Sequence, residues 1–396
     1  MGENTKSVEV NITGGTVNIT DGDFSRETGI QENTNPILWC QDGTINITGG
    51  TITNPESGGI LVGPSGEQGA ENTKDPIVTI SNAEFNTQSY CITNKSDEEV
   101  TINSGSFTAN GNVYAIRNMQ SGSFIITGGT FEGTSESAAV IGNGGSATGN
   151  IYLGTEDSSN TEELKVYKST GPAVANYGNG DIYIYSGEYE SVNHNTIYNS
   201  SNRTIYLQGG TITQSGNETY SAVNNVNEGT IEVSGATIIS EGDGGVGINN
   251  YSTGSVIVTS GSISSDSASA IYNRVAGTVT VSGGTLTGIY GINNETIELF
   301  IKHPEWINIV INSIDKTTIP EEELDKLVYF AIDKRYRLNE NSPKSIIKPK
   351  YIEYAIKHGQ IDALYLIDKT TITEEELDRI VYFAIDKGYE FSAESP

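Results

Sequence analysis

The chain has 396 residues, with 22 Lys and Arg against 50 Asp and Glu, a formal charge of −28 and 46 Gly. Its length exceeds one average domain, and so acidic a chain has no basic stripe to neutralise phosphates, which argues against nucleic acid or an anionic membrane surface as partner. No run of about 18 apolar residues occurs, so no membrane insertion is expected.

The start, MGENTKSVEV, lacks the basic and apolar regions of a signal peptide. The first β pass, VEVNITGGTVNIT from Val8, is already under way there, so the chain reads as an excerpt of a longer polypeptide. GTINITGGTIT follows from Gly43, with polar insertions on either side of it. The beat continues through IVTISNAEFNT, VTINSGSFTA and FIITGGTFEG, then a coil from Ile151 to Ser169 whose bend has grown into a loop. IYIYSGEYES, IYLQGGTITQ and three further passes between Thr230 and Asn294 complete the series.

Each pass holds an alternating strand ending in Ser-Gly or Gly-Gly, a short Thr-hydrophobic-Thr strand, and a third strand closing on Asn. The corner residue recurs at Gly187, Gly210, Ala236, Gly261 and Gly284, with spacings of 23, 26, 25 and 23. A period near 24 that tolerates insertion suits three short strands per coil, and parallel crossovers are overwhelmingly right-handed. The expected fold is therefore a right-handed parallel β-helix of about eleven coils over residues 1–294, on the order of 50 Å long at about 4.8 Å per strand.

The closing asparagines are Asn94, Asn118, Asn143, Asn176, Asn199, Asn225, Asn250, Asn273 and Asn294. An amide can donate to one coil and accept from another, which predicts a structural ladder; the rival reading is a row of ligand-binding amides. Cys40 and Cys91 fall in non-adjacent coils and read as small buried apolar residues, not a disulfide.

From Glu295 the period becomes helical. DKTTIPEEELDKLVYFAIDK from Asp315 recurs as DKTTITEEELDRIVYFAIDK from Asp368, an offset of 53, so residues 295–396 read as a helical hairpin repeated twice. Thr318 with Glu321, and Thr371 with Glu374, have capping-box spacing, and Gly388 is placed to end its helix. Ile297, Phe300 and Ile301, with Trp306 beyond Pro304, form a candidate apolar cap for the open end of the β-helix.

The phrases GGTIT, AIYN and GINN make residues 8–294 resemble the Gly-Gly-Thr repeat β-helices of large surface proteins from gut-type Gram-positive bacteria. The helical region is similar, through KHPEWI and YIEYAIKHG, to arrays of short helix pairs of unknown role in bacterial proteins. The first resemblance implies an extracellular or cell-surface stalk or adhesin, in some cases glycan-binding.

For chemistry the sequence offers carboxylate pairs at Glu156 and Asp157, Glu188 and Glu190, and Glu241 and Asp243, with His194 as the β region's one histidine. Polysaccharide lyases and hydrolases share the fold, yet their chemistry needs clustered carboxylates, or a cation with a base, on one face. These acids read as solvated surface, so no catalytic residue, metal or cofactor is assigned. GGVGINN at Gly244 is read as a turn and not a calcium motif, since such sites need repeating ligands. Thr51/Thr53, Thr211/Thr213 and Thr285/Thr287 could form an ice-binding face, but Glu84, Glu188 and Glu190 interrupt it.

Tyr183, Tyr185, Tyr189, Tyr198, Tyr206 and Tyr220 fall within two successive coils and are candidate glycan contacts, the alternative being rings that fill the core or cover the wall. The expected function is a non-enzymatic β-solenoid spacer or adhesin, its helical repeats capping the rod or binding a protein. Its expected partner is an extracellular glycan or a surface protein of a host or neighbouring cell. A carbohydrate-binding module is the alternative, and a polysaccharide lyase or hydrolase the third reading.

Overall fold

A three-residue strand such as Ile182–Ile184 buries only its two isoleucines and leaves both backbone edges open. It gains stability by lending those edges to copies of itself. In the computed structural model Ile182 pairs in register with Ile151 on one side and Ile205 on the other, and every strand pairing among the described residues is parallel. The described residues are 10–26, 35–64, 75–111, 113–134, 138–156, 163–216, 219–274, 277–294, 321–333, 336–339, 342, 346–368 and 372–389.

The result is a parallel β-solenoid of about ten turns followed by a few helices. The eleven coils read from the sequence, stacked, make ten turn-to-turn steps. The chain divides into two compact units, Met1–Asn294 and Glu295–Pro396.

Inside the solenoid, strict alternation turns sequence period into columns. Ile151, Ile182, Ile205, Ile231 and Val256 lie one above another, all fully buried. A neighbouring column stacks Phe85 on Phe107 and Phe107 on Phe131, with ring centroids 4.9 and 4.6 Å apart. Each such side chain contributes roughly 1.5–3 kcal/mol by leaving water. In the last coil Val281 is 39% and Ile292 43% exposed.

The corner demands glycine for two reasons at Gly210: its φ is +80°, and a Cβ there would lie 2.7 Å from the Gly187 carbonyl oxygen. Ala236 occupies the same corner without a positive φ, which accommodates its methyl group. Cys40 and Cys91 are free thiols buried in the core. Burial raises the Cys40 thiol to about 11, with Asp42 adding to it, and that of Cys91 to about 12.

The helical unit contains α1 (Glu321–Asp333), α2 (Pro349–Lys357), a 3-10 turn at Ile361–Leu366 and α3 (Glu374–Asp386). Its core gathers Leu324, Val328 and Ile332 of α1 with Tyr351, Ile352 and Ile356 of α2 and Ile380 and Ala384 of α3. The α3 capping box is formed by Thr373 and Glu376, two residues later than the Thr371–Glu374 spacing suggested: Thr373 Oγ1 accepts from the Glu376 N–H at 3.3 Å and the Glu376 carboxylate accepts from the Thr373 N–H at 3.0 Å. The helix starts at Glu374, so only Thr373 can serve as its cap. Pro320 holds the equivalent sequence position in the first repeat. Gly388 follows α3 at φ +87°. Thr318, Thr371 and the candidate cap residues Ile297, Phe300, Ile301 and Trp306 lie outside the described residues.

Candidate functional site

The closing asparagines form a buried ladder. Asn199 Nδ2 donates to Asn225 Oδ1 at 3.0 Å, Asn225 to Asn250 at 2.9 Å, Asn250 to Asn273 at 2.8 Å and Asn273 to Asn294 at 3.2 Å. Asn118 bonds Asn143 in the same way at 3.2 Å. Six of these amides also close their own turns. Asn94, Asn176, Asn199, Asn225, Asn250 and Asn273 donate to the carbonyl four residues ahead, at 2.7 to 3.1 Å. In the first coils the same register position holds Ile12, Cys40 and Val62, so the ladder starts only at Asn94. Asn94 to Asn250 are fully buried and Asn273 is 2% exposed, and the bonds given above run to backbone and to one another.

A second corner carries a column of buried small and polar residues, Thr87, Ala109, Gly133, Lys168, Ser191 and Gln214. Lys168 is fully buried and its Nζ has no hydrogen-bond partner among the described residues. The amine fits because Gly133 lies beneath it; a Cβ on Gly133 would stand 2.8 Å from Nζ. Burial lowers the Lys168 ammonium to about 8. It also lowers the His194 imidazole, and the nearby Lys168 charge acts in the same direction. Sequence reading missed Lys168 because a strand lysine ordinarily points outward.

The six candidate tyrosines separate. Tyr189 enters the core between Val166 and Ile212, 1% exposed, with its hydroxyl donating to the Ser186 carbonyl at 2.8 Å. Alternation places it there: Glu188 and Glu190 take the outward positions, so Tyr189 cannot reach a ligand. Tyr198 and Tyr220 flank His194 at another corner, with ring centroids 6.2 and 5.0 Å from the imidazole.

Tyr183 and Tyr206 stack on an outer wall at 4.6 Å and 8° between planes, and Tyr152 extends the stack at 5.0 Å. Tyr185 lies beside it, 6.3 Å from Tyr183. Tyr152 was legible in the phrases IYL, IYI and IYL, which occupy the same register in successive coils. Next to the stack, the Asp181 carboxylate accepts from the Thr204 N–H at 3.0 Å and pairs with Arg203 at 3.2 Å. Burial, then Asp181, raises the Tyr183 phenol.

This geometry decides how the wall meets solvent. A sugar ring binds over an aromatic face, and here the internal faces are covered by neighbouring tyrosines. The Tyr152 hydroxyl accepts from Asn150 Nδ2 at 3.0 Å. On the third wall Glu188 and Glu190 line a shallow groove of about 240 Å³ with Lys165, Tyr167, Thr211 and Thr213. Both carboxylates are engaged there: Lys165 lies 3.5 Å from Glu188, and Ser215 Oγ donates to Glu190 at 2.5 Å. Glu84 pairs with Thr51, and Glu188 with Thr211, so carboxylates break the threonine columns in the structure too. Among the described residues no group of three or more His, Cys, Asp or Glu is placed to hold a metal ion. Among these described residues no helix is long and apolar enough to cross a membrane. In comparisons with known proteins, no family model, no curated protein and no solved structure matches the chain.

Proposed function

We propose that the chain is a non-enzymatic β-solenoid of the cell-surface or secreted kind, serving as a spacer, with adhesion to glycan or protein carried by its outer walls and helical unit. The observation behind this reading is that the repeating side chains spend their contacts on the next coil. Asn225 bonds Asn250, Phe107 stacks on Phe131 and Tyr183 stacks on Tyr206, each joining one turn to its neighbour. Such an array is stabilised by nearest-neighbour interfaces. The resemblance of GGTIT, AIYN and GINN to Gly-Gly-Thr surface repeats points the same way.

The test is a glycan array together with reducing-sugar and unsaturated-product assays on pectic and cellulosic substrates. The spacer reading expects no turnover on any of them. Turnover would overturn it, and tight glycan binding lost in Tyr206→Ala without turnover would replace it with a carbohydrate-binding module.

A further inference from the structure

The helical unit repeats a docking face and fills only one of its two copies. In α1, Asp325, Tyr329 and Asp333 lie one turn apart along the side that meets α2. The Tyr351 hydroxyl donates to Asp325 at 2.5 Å, and Lys350 Nζ reaches the same carboxylate at 2.5 Å. The Tyr354 hydroxyl donates to Asp333 at 3.0 Å, and His358 lies 3.3 Å from it. The Tyr329 ring packs on both α2 tyrosines, with centroids 5.6 Å from Tyr351 and 4.5 Å from Tyr354. Beneath this polar frame Leu324, Val328 and Ile332 are buried at 5%, 0% and 2% exposure.

Shifted by 53 residues, α3 presents the same side chains: Asp378, Tyr382 and Asp386 over Leu377, Val381 and Ile385. On α3 the face is open. Tyr382 is 69% and Ile385 57% exposed, and both aspartates are exposed. The inner side of α3 is a different one, where Ile380 and Ala384 are fully buried against the unit's core.

The structure assigns to α3 a docking site for an amphipathic helix of the α2 type that the described residues do not supply. This inference is independent of the spacer reading. The chemistry of the occupant is written in α2: a lysine beside a first tyrosine for Asp378, a second tyrosine three residues on to pack with the first around Tyr382, and a histidine after a further turn for Asp386. Small and branched apolar residues between them would cover Val381 and Ile385. The acidic pair on α3 complements the Lys and His of such a helix and disfavours an acidic one.

The experiment titrates the full chain into a fluorophore-labelled synthetic peptide spanning residues 346–367 and follows anisotropy. Saturable binding is expected, weakened about tenfold or more by Ile385→Glu and by Tyr382→Ala, the size expected when a buried anchor is lost. A peptide with Tyr351→Ala and Tyr354→Ala should fail to bind. Both protein variants change exposed residues, so their helical circular dichroism should match the parent and confirm folding. Absence of saturable binding up to about 1 mM, or binding that Ile385→Glu leaves unchanged, overturns the proposal. So does a dimer of the chain that Ile385→Glu dissociates, because a second copy would then be the occupant.

Discussion

Asn225 and Asn250 share one hydrogen bond, Nδ2 to Oδ1 at 2.9 Å, and each spends its second amide proton on the backbone of its own turn, at Gly229 and Gly254. One side-chain type thus closes a turn and ties it to the next. Asn250→Ala would leave the Asn225 amide and the Gly254 carbonyl without these partners, at a cost of about 1–3 kcal/mol. Asn143 accepts from Asn118, but its own Nδ2 has no partner among the described residues. Asn143→Ala should therefore cost less than Asn250→Ala. Denaturant midpoints of the two variants beside the parent check the order, and equal losses would contradict it.

Lys168 gives the solenoid an unusual pH dependence. Its folded value of about 8 lies below the 10.5 of an unburied lysine. Between these limits the unfolded chain binds more protons, so the lysine's contribution to stability rises with pH. Below about 8 the ammonium is charged in both states and its burial cost, on the order of 3 kcal/mol at about 1.4 kcal/mol per pH unit, is fully present. Lys168→Met should thus stabilise the protein at pH 7 and confer little benefit at pH 10. Unfolding midpoints of both proteins across that range supply the test; a constant difference between them would show that the amine does not titrate there.

Tyr189 and Tyr206 should respond in opposite ways. Tyr189→Ala opens a cavity in the column between Val166 and Ile212 and should cost about 3–5 kcal/mol, whereas Tyr189→Phe loses only the bond to the Ser186 carbonyl, about 1 kcal/mol. Tyr206→Ala removes one ring from the outer stack and should cost no more than about 1.5 kcal/mol. Thermal unfolding of the three variants ranks them, and a larger loss for Tyr206→Ala than for Tyr189→Ala would reverse the assignment of inside and outside.

In the helical unit, Thr373→Ala removes the hydroxyl that accepts from the Glu376 N–H, and should lower helix stability by about 1 kcal/mol. Thr373→Asp restores an acceptor at the helix N-terminus and should recover most of that loss. Thermal circular dichroism at 222 nm reads both changes, and equal melting of Thr373→Ala and the parent would show that the box carries no energy.

The amino-acid sequence by itself determined the solenoid, because three short alternating strands per coil and a period near 24 leave few ways to bury Ile and Val except by stacking. It also determined the asparagine ladder, a local pattern stated repeatedly, and a helical C-terminal region, where the period changes. Only the tertiary structure decided what depends on neighbours several coils or a whole repeat away. Tyr189 and Tyr183 have similar strand contexts, yet one lies in the core and the other on the wall, because each strand's phase, not its composition, selects the inward side. Lys168 is buried because the coil beneath it supplies Gly133 at the same register position. Val328 and Val381 are the same residue in nearly the same sentence, and α2 covers the first while the second is only partly buried. Repetition fixes what a segment can pack against; position in the array fixes whether that partner is there.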